Sequence, residues 1–169
     1  MAGGDAAFEK GLPANLEAER GILGTCQGGD TEDLEYVMSH IRETDFSIEK
    51  HRRIFLTCRG LHEAGKPVDR VMLITALRDK NHLESVDGMA YLLDLDAIPK
   101  NRGMLENYCR VLRVNAIRRM AILEAEKLQG LAFSGGDTDE IISTLQRASE
   151  SLSGQKLESG SGMLRVDEI

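Results

Sequence analysis

The stretch MLENYCRVLRVNAIRRMAILEAEKLQGL (Met104–Leu131) decides the fold class. Its apolar positions Leu105, Tyr108, Cys109, Leu112, Ala116, Met120, Leu123 and Leu128 recur three or four residues apart. That spacing is one face of an α-helix, whereas a strand would alternate with a period of two. Ser134-Gly135-Gly136 then breaks the pattern as a turn. Asp137 or Thr138 can cap a following helix, with Glu140 placed for a capping box. Its stripe is Ile141, Ile142, Leu145, Ala148 and Leu152. Two long helices joined by a short glycine turn are expected to fold back as an antiparallel hairpin.

Working back toward the N-terminus, the same period continues in shorter pieces. Pro13-Ala14-Asn15-Leu16-Glu17-Ala18-Glu19 reads as a helix start, with Asn15 as cap and Glu17 and Glu19 near the positive end of the helix dipole. Gly28-Gly29 stops that helix. A second helix is expected from Thr31 to Arg42, with Leu34, Val37, Met38 and Ile41 on one face. A third follows Ser47, carries Ile48, Ile54, Phe55, Cys58 and Leu61, and stops at Gly65-Lys66-Pro67. Asp69 caps a fourth with Val71, Leu73, Ile74 and Leu77, and a short fifth spans about Gly88 to Leu95 before Pro99.

The expected architecture is all-α: a globular helical head over residues 12–103, an antiparallel helical hairpin over 104–153, and a flexible linker. Residues 1–11 read as a flexible leader, being small and polar. Residues 154–169 read as the linker and the start of a linker helix. Ser159-Gly160-Ser161-Gly162 is loose, but Met163 to Ile169 regains apolar spacing. That last feature suggests a chain cut from something longer.

Of the 169 residues, 41% are hydrophobic but only 4% aromatic, so the core rests on Leu, Ile, Val, Met and Ala. A net charge of −7 argues against a surface devoted to nucleic acid, which needs clustered Lys and Arg. Cys26, Cys58 and Cys109 are far apart and odd in number, which suits free thiols in a reducing cytosol. No apolar run approaches the ~18 residues of a membrane span.

Few motifs point to chemistry. Gly60-Leu61-His62-Glu63-Ala64-Gly65-Lys66 matches most of a phosphate-binding P-loop. Pro67 stands where a Ser or Thr should hold Mg²⁺, and the stretch closes a helix instead of opening one. His40, His51, His62 and His82 pair with no cysteine at metal-ligand spacing, so no metal site and no catalytic residue is assigned. Asp94/Asp96 and Asp137/Asp139/Glu140 fit caps or solvated faces. His51-Arg52-Arg53, Arg118-Arg119, and Arg110 with Arg113 one turn on are basic clusters. They serve either as solvated faces or as points that dock an acidic partner or make a weak nucleic-acid contact. Phe133 and Leu131 at the hairpin turn are either a hydrophobic plug or a contact surface.

The order of short motifs carries more. Pro13-Ala14-Asn15-Leu16-Glu17-Ala18-Glu19 followed by Ile22-Leu23-Gly24 resembles the opening of the N-terminal domain of DnaB-type replicative DNA helicases. Asp45-Phe46 and His51-Arg52-Arg53-Ile54-Phe55 resemble that family's "DF…HRxIF" signature. Gly65-Lys66-Pro67-Val68-Asp69 and Leu83-Glu84-Ser85-Val86-Asp87-Gly88-Met89-Ala90-Tyr91-Leu92 resemble its "G-x-P-[VI]-D" and "L-x-x-V-G-G-x-x-Y-L" segments. The likeness runs from about Leu12 to Leu152. It marks Asn15, Glu17, Gly24, Phe46, His51, Ile54, Phe55, Pro67, Asp69, Gly88 and Tyr91 as family-motif positions. Three places depart from it: Thr25-Cys26-Gln27-Gly28-Gly29 in place of a longer apolar run, Asp87 in place of a Gly, and the wording of Ile98 to Arg102.

The resemblance implies a head-plus-hairpin domain that pairs through its hairpins, three dimers forming a collar on a hexameric ring. The implied partners are a second copy, the primase C-terminal domain and, in some systems, a helicase loader. Arg110, Arg113, Arg118, Arg119, Leu123, Leu131 and Phe133 are the candidate interface residues. It also implies that ATP, Mg²⁺ and single-stranded DNA belong to a separate motor domain of a longer, cytoplasmic, nucleoid-associated parent. On this expectation the chain itself holds no cofactor and no ATPase site. The alternative is a stand-alone helical adaptor or a primase C-terminal-type domain.

Overall fold

Local capping chemistry sets where the helices begin. In a computed structural model, which describes residues 11–28, 30–97 and 101–158, the Asn15 side chain accepts from the Ala18 N–H at 2.9 Å and opens α1 (Leu16–Cys26). Asp30 opens α2 (Thr31–His40) through the Asp33 N–H at 3.0 Å. Asp69 opens α4 (Arg70–Asp79) through the Met72 N–H at 2.8 Å. Each cap satisfies a backbone donor that the first turn would otherwise leave bare. Between α2 and α4 lies α3 (Glu49–Glu63), and α5 (Gly88–Asp96), α6 (Arg102–Phe133) and α7 (Thr138–Glu158) follow. The described residues hold no strand, only an isolated antiparallel bridge between Gly28 and Asp69.

Three expectations change in detail. The second helix stops at His40, not Arg42, because Ile41 and Arg42 are extended and the Asp45 carboxylate accepts from the Arg42 N–H at 2.8 Å. That bond starts a separate 3-10 turn, Glu43–Asp45, and a second such turn covers Glu84–Val86. Val71 is 68% exposed, since α4 buries Leu73 and Leu77 and a residue two positions earlier points to the opposite side. Finally, α7 continues through residues expected to be linker and ends at Glu158; Gln, Lys, Leu and Glu are good helix formers and carry it past Gly154. The leader (1–10), the Ile98-Pro99-Lys100 break and the tail from Ser159, including Met163 to Ile169, lie outside the described residues.

The chain divides into two compact units, one through Ala116 and one from Ile117, so the division falls within α6. In the first unit α1 packs against α2, α3 and α5, and α3 packs against α4. Their shared core contains Ile22, Leu23, Phe46, Ile54, Phe55, Leu73, Leu77, Leu92 and Leu95, joined by Leu105, Cys109 and Leu112 of α6. The Phe46 and Phe55 rings sit 5.0 Å apart. Burying each such side chain contributes about 1.5–3 kcal/mol, which makes this core the main source of the unit's stability. Gly24 lets α1 approach α5 closely: a Cβ there would stand 2.4 Å from the Leu95 carbonyl oxygen.

In the second unit the chain reverses at Gly135, whose φ of +71° a Cβ-bearing residue adopts at a cost. The Gly136 N–H donates to the Leu131 carbonyl at 2.9 Å and closes α6. The Ile141 N–H donates to the Asp137 carbonyl at 3.1 Å, so Asp137 occupies the cap position of α7. Ser151 Oγ lies 3.4 Å from Met120 Sδ, which puts α7 alongside α6 running the other way. Unit two is therefore an antiparallel helical hairpin.

Candidate interaction surface

A buried polar chain runs through the apolar core of the first unit. Glu19 of α1 is fully buried, and its Oε1 accepts from the Ser47 N–H at 2.8 Å and the Ser47 Oγ–H at 2.5 Å. Its Oε2 lies 2.6 Å from Nδ1 of the fully buried His51 on α3. His51 Nε2 lies 2.5 Å from the hydroxyl of Tyr91 on α5. With Nδ1 donating to the carboxylate, Nε2 is left to accept from the phenol. Burial pushes the Tyr91 phenol up to about 12, with Arg20 opposing and Asp87 and Glu19 adding to the shift. Lys50 caps the outer face of the same ring at 4.0 Å from its centre and pairs with Asp87 at 2.7 Å.

This chain of groups is a bolt between α1, α3 and α5, not a reaction centre. A serine nucleophile must give its proton to the base, but here the Ser47 hydroxyl donates to Glu19 and not to His51. No group of three possible metal ligands occurs among the described residues. The sequence placed Glu19 only in the helix dipole. The missed signal was its register, since Glu19 falls on the same face as Ile22, Leu23 and Cys26, a carboxylate in line with the core.

The basic cluster His51-Arg52-Arg53 is taken apart by the fold. His51 is the bolt's centre, Arg52 Nε donates to the Phe46 carbonyl at 2.9 Å, and Arg53 binds Ser85 at 2.5 Å and Glu49 at 3.2 Å. The P-loop look-alike closes α3: the Lys66 N–H donates to the Leu61 carbonyl at 3.0 Å and the Gly65 N–H to that of His62 at 2.9 Å. Those amides are spent on a helix end and are not presented to a phosphate. Of the other family-motif positions, Asn15 and Asp69 are caps, Phe46, Ile54 and Phe55 are core, Gly88 has a φ of +71°, and Glu17 and Pro67 are exposed.

The candidate interface residues do not form one set. Arg110 and Arg113 belong to the first unit, where Arg110 is exposed and bonds to Asn107 at 2.6 Å and Arg113 is half-buried. In the hairpin, Arg118 and Leu123 are exposed, Leu131 is half-buried, and Phe133 at the turn is 85% exposed. Arg119 is a correction: one residue on from exposed Arg118 it lies about 100° around α6, on a covered side, and is only 4% exposed, so it is not offered to a partner. Sequence reasoning missed Ile122, Ile142 and Leu145, which are exposed with Leu123. A helix stripe alone does not say which apolar residues the hairpin's own packing uses up.

This arrangement is shared with known proteins. The sequence profile of the DnaB-like helicase N terminal domain matches residues 11–114. The replicative DNA helicase DnaB of Buchnera aphidicola (subsp. Baizongia pistaciae) is 29% identical over 160 residues, 94% of this chain and 34% of that protein. The DnaB helicase of Treponema pallidum is 32% identical over 137 residues, 80% of this chain and 31% of its own length. The chain thus spans about a third of the curated relatives it matches. The crystal structure of the N-terminal domain of DnaB helicase from Mycobacterium tuberculosis superposes with a TM-score of 0.76 at 20% identity, covering 83% of this chain and 99% of that one. A solved structure of a DnaB-like replicative helicase and its interactions with primase gives a TM-score of 0.63 at 23% identity, covering 89% of this chain and 38% of the other. The chain belongs to the DnaB-like helicase N-terminal domain family.

Proposed function

We propose that this domain is the collar module of a longer replicative helicase, pairing subunits through its hairpin and docking primase. The single observation that carries the reading is the hairpin's unfinished packing. Ile122, Leu123, Ile142 and Leu145 stay exposed along α6 and α7, and Phe133 stands almost free at the turn. Apolar residues held in water on so slender a unit favour association, and a two-fold pairing of two hairpins would cover the same patch on both copies. Three such dimers would make a hexamer. The relative described with primase supports the primase C-terminal domain as a partner, and a helicase loader is proposed as a further one. ATP, Mg²⁺ and single-stranded DNA would be handled by a motor domain elsewhere in the parent, acting in the cytoplasm with the nucleoid. Among the described residues no helix is long and apolar enough to cross a membrane.

The test uses isothermal titration of the chain with the primase C-terminal domain from the same organism. Phe133→Ala is expected to weaken that binding or the self-pairing by about tenfold, the scale of one buried aromatic anchor. Its circular dichroism should stay unchanged, because Phe133 packs on little of its own chain. Unchanged affinity and unchanged mass for the variant would remove the tip from the interface.

A further inference from the structure

Helix α5 is the most apolar of the described helices, yet it uses little of that character inside. Leu92 and Leu95 are buried in the core, and Tyr91 is half-buried over the bolt. Met89 and Leu93 are left 49% and 46% exposed. They stand four residues apart, so they are neighbours on one face, and exposed Ala97 extends the line by another turn. Exposed Ala90 sits beside them and keeps the face shallow.

The margins of this face are acidic. Glu84, Asp87 and Asp94 are exposed around it, and α5 itself contains no Lys or Arg. Only Asp87 is neutralised, by Lys50 at 2.7 Å. Glu84 and Asp94 form no ion pair among the described residues. None of these side chains takes part in the bolt or in the hairpin.

We propose that the Met89–Leu93 face of α5 docks a short amphipathic helix of another protein, one that presents apolar residues four apart with Lys or Arg at its margins. An apolar pair at this spacing meets the ridge of a partner helix, and Met adapts its shape to the side chain it receives. Charge selects the occupant. A second copy of this chain, seated symmetrically on the same face, would set Asp94 and Glu84 against their own like charges. An anionic membrane surface is repelled for the same reason. A basic helix gains from every carboxylate on the rim.

The experiment titrates the isotope-labelled chain with a synthetic helical peptide carrying leucines four residues apart and flanking lysines, beside a version with glutamates in place of the lysines. Amide shifts centred on Met89, Leu93 and Ala97 are expected with the lysine peptide alone, fading with added salt. Leu93→Ser should abolish the shifts, and Asp94→Lys should weaken binding by about tenfold. Both positions are exposed, so both variants should fold, which their far-ultraviolet spectra will check. Shifts centred elsewhere, equal binding of the two peptides, or binding untouched by Leu93→Ser would overturn the proposal. So would a concentration-dependent self-association of the chain that Leu93→Ser removes, since the occupant would then be a second copy.

Discussion

The two units are built from the same kind of helix and spend their apolar residues in opposite ways. The first closes a core from α1 to α5 and the start of α6, three of these helices opened by a side-chain cap, and can bury a carboxylate because every lone pair it needs has a donor. The hairpin has one neighbour helix for each helix, so part of each apolar stripe has nothing in its own unit to pack on. Stability therefore resides mainly in the first unit, while the hairpin leaves the larger share of its apolar residues uncovered. Exposed apolar residues cost little to the folded chain and become favourable once a partner covers them.

The sharpest way to break that contrast is to cut the bolt. Glu19→Ala removes the acceptor for two Ser47 donors and for His51 in a dry interior, and should cost about 3–5 kcal/mol, read from urea denaturation of the first unit's signal. A loss near zero would mean that the bolt ornaments the core. The alkaline limb sharpens it further. Burial raises the Cys109 thiol from 9.0 to about 12 and the Tyr91 phenol from 10.0 to about 12. Groups with raised folded values add stability that is whole below their unfolded values and lost as pH climbs through the folded ones. The first unit should thus weaken from about pH 9 toward 12, while circular dichroism of a Cys109→Ala variant should show a later onset.

Asp87 gives a smaller effect. It holds a left-handed φ of +64°, at the place where the resembled family carries Gly. Asp87→Ala should cost about 1 kcal/mol, whereas Asp87→Gly should be close to neutral, since relief of the backbone offsets the lost Lys50 pair. Smallest of all for folding is Leu145→Ser, on the hairpin's open face. It should change stability by less than about 0.5 kcal/mol while reducing self-association measured by sedimentation.

What could be read from the sequence was what local chemistry decides. Asn15 and Asp69 cap helices because of their own short side chains, and Gly65 and Gly135 close helices because of their own backbones. The family motifs Phe46, His51, Ile54 and Phe55 proved to be fully buried in the core. What could not be read depended on a distant partner. Glu19 looks like any first-turn acid until Ser47 and His51 fold over it, and Arg119 looks like its exposed neighbour Arg118 until tertiary packing buries it. Val71 looks like core until α4 settles on Leu73 and Leu77. The hairpin's open residues were hardest, because whether a stripe is core or interface depends on a molecule outside this chain.

Native mass spectrometry of the chain, alone and with the primase C-terminal domain, tests the central claim most directly. The account predicts a dimer or larger species that gains the primase mass, and Leu123→Ser with Leu145→Ser should return it to a monomer that is still folded. A monomer at all concentrations that ignores primase would contradict it, and would leave a stable helical domain whose exposed hairpin serves something else.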